Sequence, residues 1–217
     1  MPTRQTTTLQ KNSTYGTTII ASACLILLSP LRGHAQNADE QVWTTSGDGD
    51  LKTLAALVKS DAKLVAAQDR YGMLPLHYAA EAGQIETIKF LLANGADIMA
   101  RDNRGWTALH HAVDNKEAEA MELLIARGAT VDARNTMQWT PLHLAVLKMD
   151  TTMAFALIRS GADVNAKTSR ELTPYNLAVD SGKRDIVDHL VAAMGDRLQL
   201  ALTPMLAITA STQVTSR

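Results

Sequence analysis

The residues with the clearest chemical potential in this chain are its histidines. Arg104 to Val113 reads RGWTALHHAV and sets His110 beside His111. Adjacent imidazoles suit zinc ligation or proton transfer when carboxylates or further imidazoles converge on them. His77 and His143 lie 33 residues either side of His110, each behind a leucine, as Leu76-His77, Leu109-His110 and Leu142-His143. A fourth copy of the pair reads Tyr175-Asn176. A constant step spreads these imidazoles along the molecule, one unit apart, rather than gathering them on one metal or one reacting atom. The sequence has no HExxH, no GxSxG and no phosphate-binding glycine loop. No catalytic residue, metal site or cofactor is therefore expected, and the chain does not read as an enzyme. His111 occupies the position that other copies fill with Tyr78, Leu144 and Leu177, and is expected near the surface of its helix.

The same step of 33 governs much more than histidine. Gly95-Ala96, Gly128-Ala129 and Gly161-Ala162 keep it, as do Ala100, Ala133 and Ala166. The segments LPLHYAAEAG, WTALHHAVDNK, WTPLHLAVLKM and LTPYNLAVDSG, with GADIMAR, GATVDAR and GADVNAK, resemble ankyrin repeats. The resemblance runs from Asp69 to about Met194 and extends more weakly back over Ser46 to Gln68. It implies an all-α repeat solenoid of stacked helix–turn–helix units joined by short β-hairpin-like connectors. The units it implies are a degenerate N-terminal capping repeat at 36–68, repeats at 69–101, 102–134 and 135–167, and a C-terminal capping repeat at 168–194. Residues 195–217 are left as a tail. It further implies a structural role for His77, His110 and His143, whose imidazoles would bond backbone groups of the connecting turns.

The residues of one unit account for its shape. Thr107, Thr140 and Thr173 precede short helices and are expected to cap their free N–H groups. Pro141 and Pro174 follow at the first helical position, where a missing N–H costs nothing. Ala79, Ala112, Ala145 and Ala178 allow close approach of neighbouring units. Phe90-Leu91-Leu92, Leu123-Leu124-Ile125, Leu157-Ile158 and Leu190-Val191 carry the bulk of the second helices, a face that one unit alone cannot bury. Gly95, Gly128 and Gly161 are expected to end those helices in a left-handed turn. The turn glycine of Gly72 and Gly105 becomes Gln138 and Glu171 in later units, and that of Gly83 and Gly182 becomes Lys116 and Met149 in between. The unit 135–167 collects two of these replacements and is expected to be the softest.

The resemblance also places a binding face for a protein partner, on the connector tips and the outer positions of the first helices. There the sequence puts Arg70, Tyr71 and Met73, then Arg104 and Trp106, Met137 and Trp139, and Arg170 and Leu172. Tyr, Trp, Met and Arg are the residue types enriched in binding hot spots. The tryptophans have a second reading, in which each folds over its own turn and packs on the stack. Trp43 is expected to cap the core of the first unit.

Composition supports no polyanion or polycation partner. Lys plus Arg is 21 and Asp plus Glu is 22, so no nucleic-acid role is expected. The N-terminal end reads as an export signal. Arg4 and Lys11 precede the apolar run TTIIASACLILL, Thr17 to Leu28, which is short for a membrane span. Gly33-His34-Ala35 supplies small residues for cleavage after Ala35, making 1–35 a signal peptide and Gln36 the new N-terminus. Cleavage would remove Cys24, the only cysteine, which suits an oxidising compartment. The expectation is a periplasmic or secreted monomer with no stable membrane insertion. An uncleaved tether remains open because Arg32 is unusual so near a cleavage site, a lipoprotein box at Cys24 fits less well, and release as an effector toward a host is a further alternative.

Overall fold

The computed structural model describes residues 38–195. The expected signal segment 1–35, the expected cleavage after Ala35 and all but the first residue of the 195–217 tail lie outside these residues. Among the described residues there are ten α-helices, one 3-10 helix and no strand. The first unit holds α1 (Ala38–Asp48), α2 (Leu51–Ser60) and a 3-10 turn (Ala62–Ala66). Then come pairs: α3 (Pro75–Glu81) with α4 (Ile85–Ala93), and α5 (Ala108–Asp114) with α6 (Ala118–Ala126). The remaining pairs are α7 (Pro141–Leu147) with α8 (Thr151–Arg159), and α9 (Pro174–Asp180) with α10, residues 184–195.

Each first helix packs on the next, in the order α1, α3, α5, α7, α9, and the pairs α1–α2, α3–α4, α5–α6 and α7–α8 pack internally. Ala79, Ala112, Ala145 and Ala178 are all fully buried at these contacts, so the absence of bulk there is what lets the helices approach. Leu91, Leu124, Leu157 and Leu190 are likewise 0% exposed, one per second helix. Together with Leu76, Leu109 and Leu142 they form one continuous core running the length of the array. Truncating any one of these leucines to Ala would cost about 2–5 kcal/mol. Trp43 packs against that core at its first end and donates its indole N–H to Ala67 O at 2.9 Å.

The connectors are hairpin-like in bonding without being strands. Each tip closes with a pair of backbone bonds, such as Gly105 N–H to Asp102 O and Asp102 N–H to Trp106 O, at 2.8 and 2.9 Å. Successive tips are joined by one further bond each: Asn103 N–H to Tyr71 O, Thr136 N–H to Arg104 O and Ser169 N–H to Met137 O, at 2.9 to 3.0 Å. One bond per junction is too few for a ladder. The close approach explains the turn glycines. A Cβ on Gly72 would meet Asn103 N at 2.9 Å, and one on Gly105 would meet Thr136 N at 2.9 Å.

Lys116, Gln138, Met149 and Glu171 take the left-handed conformation of the glycines they replace, with φ of 64°, 62°, 55° and 60°. Each carries a local cost of about 1 kcal/mol relative to glycine.

Candidate partner-binding face

The connector tip is built around one side-chain acceptor, at the first position of each unit. Asp69 Oδ1 accepts the N–H groups of Tyr71 and Met73 at 2.8 and 2.7 Å. Asp102 Oδ1 does the same for Arg104 and Trp106, both at 2.8 Å. Asn135 Oδ1 serves Met137 and Trp139, both at 2.9 Å. In the last unit Thr168 Oγ1 takes Arg170 and Leu172 at 3.3 and 3.2 Å. These Asx-type turns fix the direction in which the following side chains leave the backbone. Residues 69, 102, 135 and 168 are 33 apart, a signal present in the sequence that histidine and glycine spacing overshadowed.

The repeated imidazole holds the tip to the helix layer. His77 Nδ1 accepts the Leu74 N–H at 2.9 Å. His110 Nδ1 accepts the Thr107 N–H at 3.2 Å and lies 2.9 Å from its hydroxyl. His143 does the same with Thr140, at 3.2 and 2.8 Å. A backbone N–H always donates, so Nδ1 is unprotonated and the proton sits on Nε2. Nε2 then donates to Ala100 O from His77, to Trp139 O from His110 and to Leu172 O from His143, at 3.1 to 3.2 Å. Each imidazole therefore reaches from the start of a first helix to the connector that follows.

This geometry corrects the expected capping. The hydroxyls of Thr107 and Thr140 turn to the imidazole, and neither caps a backbone N–H. Only Thr173 does so, accepting Asn176 N–H at 3.2 Å. There Asn176 Oδ1 stands in for the imidazole nitrogen and lies 2.9 Å from both Thr173 N and Thr173 Oγ1. Burial pushes the imidazoles toward the neutral form. His77 is lowered to about 4, first by burial and then by the neighbouring His111. His110 is lowered to about 4 by burial against the pull of Trp139 O, and His143 is lowered for the same reason.

His111 is the largest departure from expectation. It is buried, not near the surface. Its Nε2 lies 3.2 Å from Asp102 Oδ2 and its Nδ1 3.8 Å from Glu81 Oε2. Its ring sits 5.2 Å from His77 and 5.3 Å, edge-on, from Trp106. Burial raises the Asp102 carboxyl, but hydrogen bonds from His111 and Trp106 N–H and the Arg104 charge outweigh this and hold it well below the usual carboxylate range. The equivalent pair one unit earlier is Asp69 Oδ2 with the Tyr78 hydroxyl at 2.8 Å, where burial and that bond both push the phenol up.

The expected binding residues divide by position. Tyr71, Arg104, Met137 and Arg170 are exposed, and they occupy the same place in four consecutive connectors. Tyr71 is 54% and Met137 58% exposed. Arg70 is also exposed, with its guanidinium carbon 4.6 Å from the Tyr71 ring centre. Met73 must be withdrawn from the face: it is buried, because its tip folds it onto the stack. Trp106, Trp139 and Leu172 are intermediate, and both tryptophans pack against the core. Trp106 lies under the Arg104 guanidinium at 4.2 Å and beside His111, while Trp139 lies 5.7 Å from His143. Each tryptophan thus presents one face and packs the other. Gly95, Gly128 and Gly161 sit after the second helices with φ of 89° to 94° and nothing within 4 Å of an added Cβ.

Among the described residues no group of three or more His, Cys, Asp or Glu is placed to hold a metal ion. No helix among them is long and apolar enough to cross a membrane. Across the wider sequence, the family described as Ankyrin repeats (3 copies) matches residues 22–102, 43–135 and 100–168. These matches cover most of the chain, which belongs to the ankyrin-repeat family. Members are generally protein–protein interaction modules and typically non-enzymatic.

Proposed function

We propose that this protein is a non-enzymatic interaction module, exported to the periplasm, that binds a protein partner through its connector tips and first-helix surface. The observation that carries this reading is the exposed row of Tyr71, Arg104, Met137 and Arg170 on four consecutive tips. The backbone beneath each is held by a side-chain acceptor at one repeated position and by a bond to a neighbouring tip. A row fixed in advance loses little ordering entropy when a partner docks. Leu147 and Met149, each 50% exposed in unit 135–167, add apolar surface at the end of α7.

A crosslinked pull-down from the extracytoplasmic fraction tests it, with wild type beside Tyr71→Ala/Met137→Ala. These two side chains are exposed, so the thermal midpoint is expected to stay near wild type. Loss of a captured partner by at least about 2 kcal/mol in affinity supports the reading. Equal capture by both proteins contradicts it. Export rests on the charged, apolar and small-residue order of residues 1–35. N-terminal sequencing of the mature protein should begin at Gln36; an intact N-terminus points to a membrane-tethered scaffold instead.

A further inference from the structure

The connector edge carries cations in register. Arg101, Arg134 and Lys167 fill one position of three consecutive units, and all are exposed. The Arg101 guanidinium donates to the Arg134 carbonyl, 33 residues on. The Arg134 guanidinium donates in turn to the Lys167 carbonyl at 3.4 Å. Each arginine is thereby laid across the junction to the next unit, with its direction set by backbone. A guanidinium has five N–H donors, so donors remain on both. Among the described residues neither arginine has a carboxylate within ion-pair distance. Arg70 and Arg170 on the tips have none either, whereas Arg104 is paired with Asp102 at 3.2 Å and Lys167 with Glu171 at 2.7 Å.

The nearby carboxylates are committed to backbone. Asp97, Asp132 and Asp163 accept N–H groups of Met99, Asp163 and Asn165 at 2.7 to 3.0 Å. Asp69 and Asp102 hold the tips. These carboxylates keep their charge, so the edge is mixed in sign and offers a long polyanion no continuous positive track. Two of the tips carry the exposed Tyr71 and Met137, apolar surface that phosphate does not use and a polypeptide does.

We propose that this edge docks an acidic segment of the protein partner, its carboxylates bound by Arg101 and Arg134 and its apolar side chains by Tyr71 and Met137. This rests on the tip-binding function proposed above. Oriented guanidiniums favour carboxylate through paired, charge-assisted hydrogen bonds.

The test is selection of a displayed random 12-residue peptide library on the full chain, followed by titration of the selected peptides. Selected sequences are expected to contain Asp or Glu beside apolar residues. Their binding should fall at least about tenfold in Arg101→Gln/Arg134→Gln, a change of about 1.4 kcal/mol. Arg101→Lys/Arg134→Lys, which keeps the charge, should recover part of that loss. Binding should also weaken between 50 and 300 mM salt, roughly spanning one Debye length of 14 to 6 Å. Selection of neutral or basic peptides, or of none, overturns the proposal. So does tighter binding of a single-stranded DNA oligonucleotide or of phosphatidylserine vesicles than of any selected peptide. A partner lost with Tyr71→Ala/Met137→Ala but retained by the arginine variants overturns the acidic segment while leaving tip binding intact. A partner retained by both variants overturns the tip-binding function itself.

Discussion

At the scale of single residues, the repeated imidazole couples stability to pH. His77 and His110 titrate at about 4 in the folded protein, against 6.5 in an unfolded chain. The unfolded state therefore takes up protons first as pH falls below 6.5. The stability associated with these two groups is fully present above pH 6.5 and is lost on the way down to pH 4. Each contributes about 3 kcal/mol over that range, of which about 2 kcal/mol is gone by pH 5. His110→Asn separates the parts, since Asn176 already fills this position in the last unit. The variant should lose the Trp139 carbonyl bond and about 1 kcal/mol at pH 7. Its further loss between pH 7 and 5, followed by urea denaturation, should be smaller than that of wild type by about 2 kcal/mol.

Position 102 and position 111 form a second residue-scale unit. A tip carboxylate has a spare oxygen once its turn is made, and Asp69 and Asp102 each spend it on a donor nine residues on, Tyr78 or His111. Asn135 and Thr168 have no charged oxygen to spend, and the residues nine on are Leu144 and Leu177. Asp102→Asn and His111→Leu should each destabilise by about 1–2 kcal/mol, since each removes or weakens the buried Asp102–His111 hydrogen bond while Arg104 stays beside position 102. The double variant reproduces the arrangement of Asn135 and Leu144 in unit 135–167 and should recover at least about 1 kcal/mol relative to the sum of the singles. Strict additivity in a double-mutant cycle would show that the pair is not coupled.

At the scale of elements, the helices were legible because their determinants are local and repeated. Proline at the start of α7 and α9, alanine at the contacts and leucine in α4, α6 and α8 each follow from one spacing. The left-handed backbone at Gln138, Glu171, Lys116 and Met149 was legible too, because a repeat fixes φ whichever residue is present. The direction of side chains at the connectors was not. Whether Thr107 caps a backbone N–H or turns to His110 depends on an imidazole placed by the fold. Burial of His111 depends on Asp102 and on His77 in the unit before it. Met73 and Trp106 share one repeated position, yet only Met73 is buried. The left-handed residues carry a prediction at this scale. Met149→Gly should stabilise by about 1 kcal/mol, read from the thermal midpoint. In hydrogen exchange, amides of 135–167 should open before those of 69–101, since the former unit holds both Gln138 and Met149; the reverse order would contradict this.

At the scale of the whole molecule, one continuous core supports one row of tips. The second helices supply bulk, the first helices supply close contact, and the imidazoles transmit that order to the connectors. What remains exposed at the tips is a fixed succession of tyrosine, arginine, methionine and arginine. The most direct measurement places a photo-crosslinking amino acid at Met137 in one protein and at Glu119, exposed on α6, in another. After irradiation of cells producing the full chain, a partner adduct should form from position 137 and not from position 119. An adduct from 119 alone, or equal adducts from both, would contradict recognition through the connector tips.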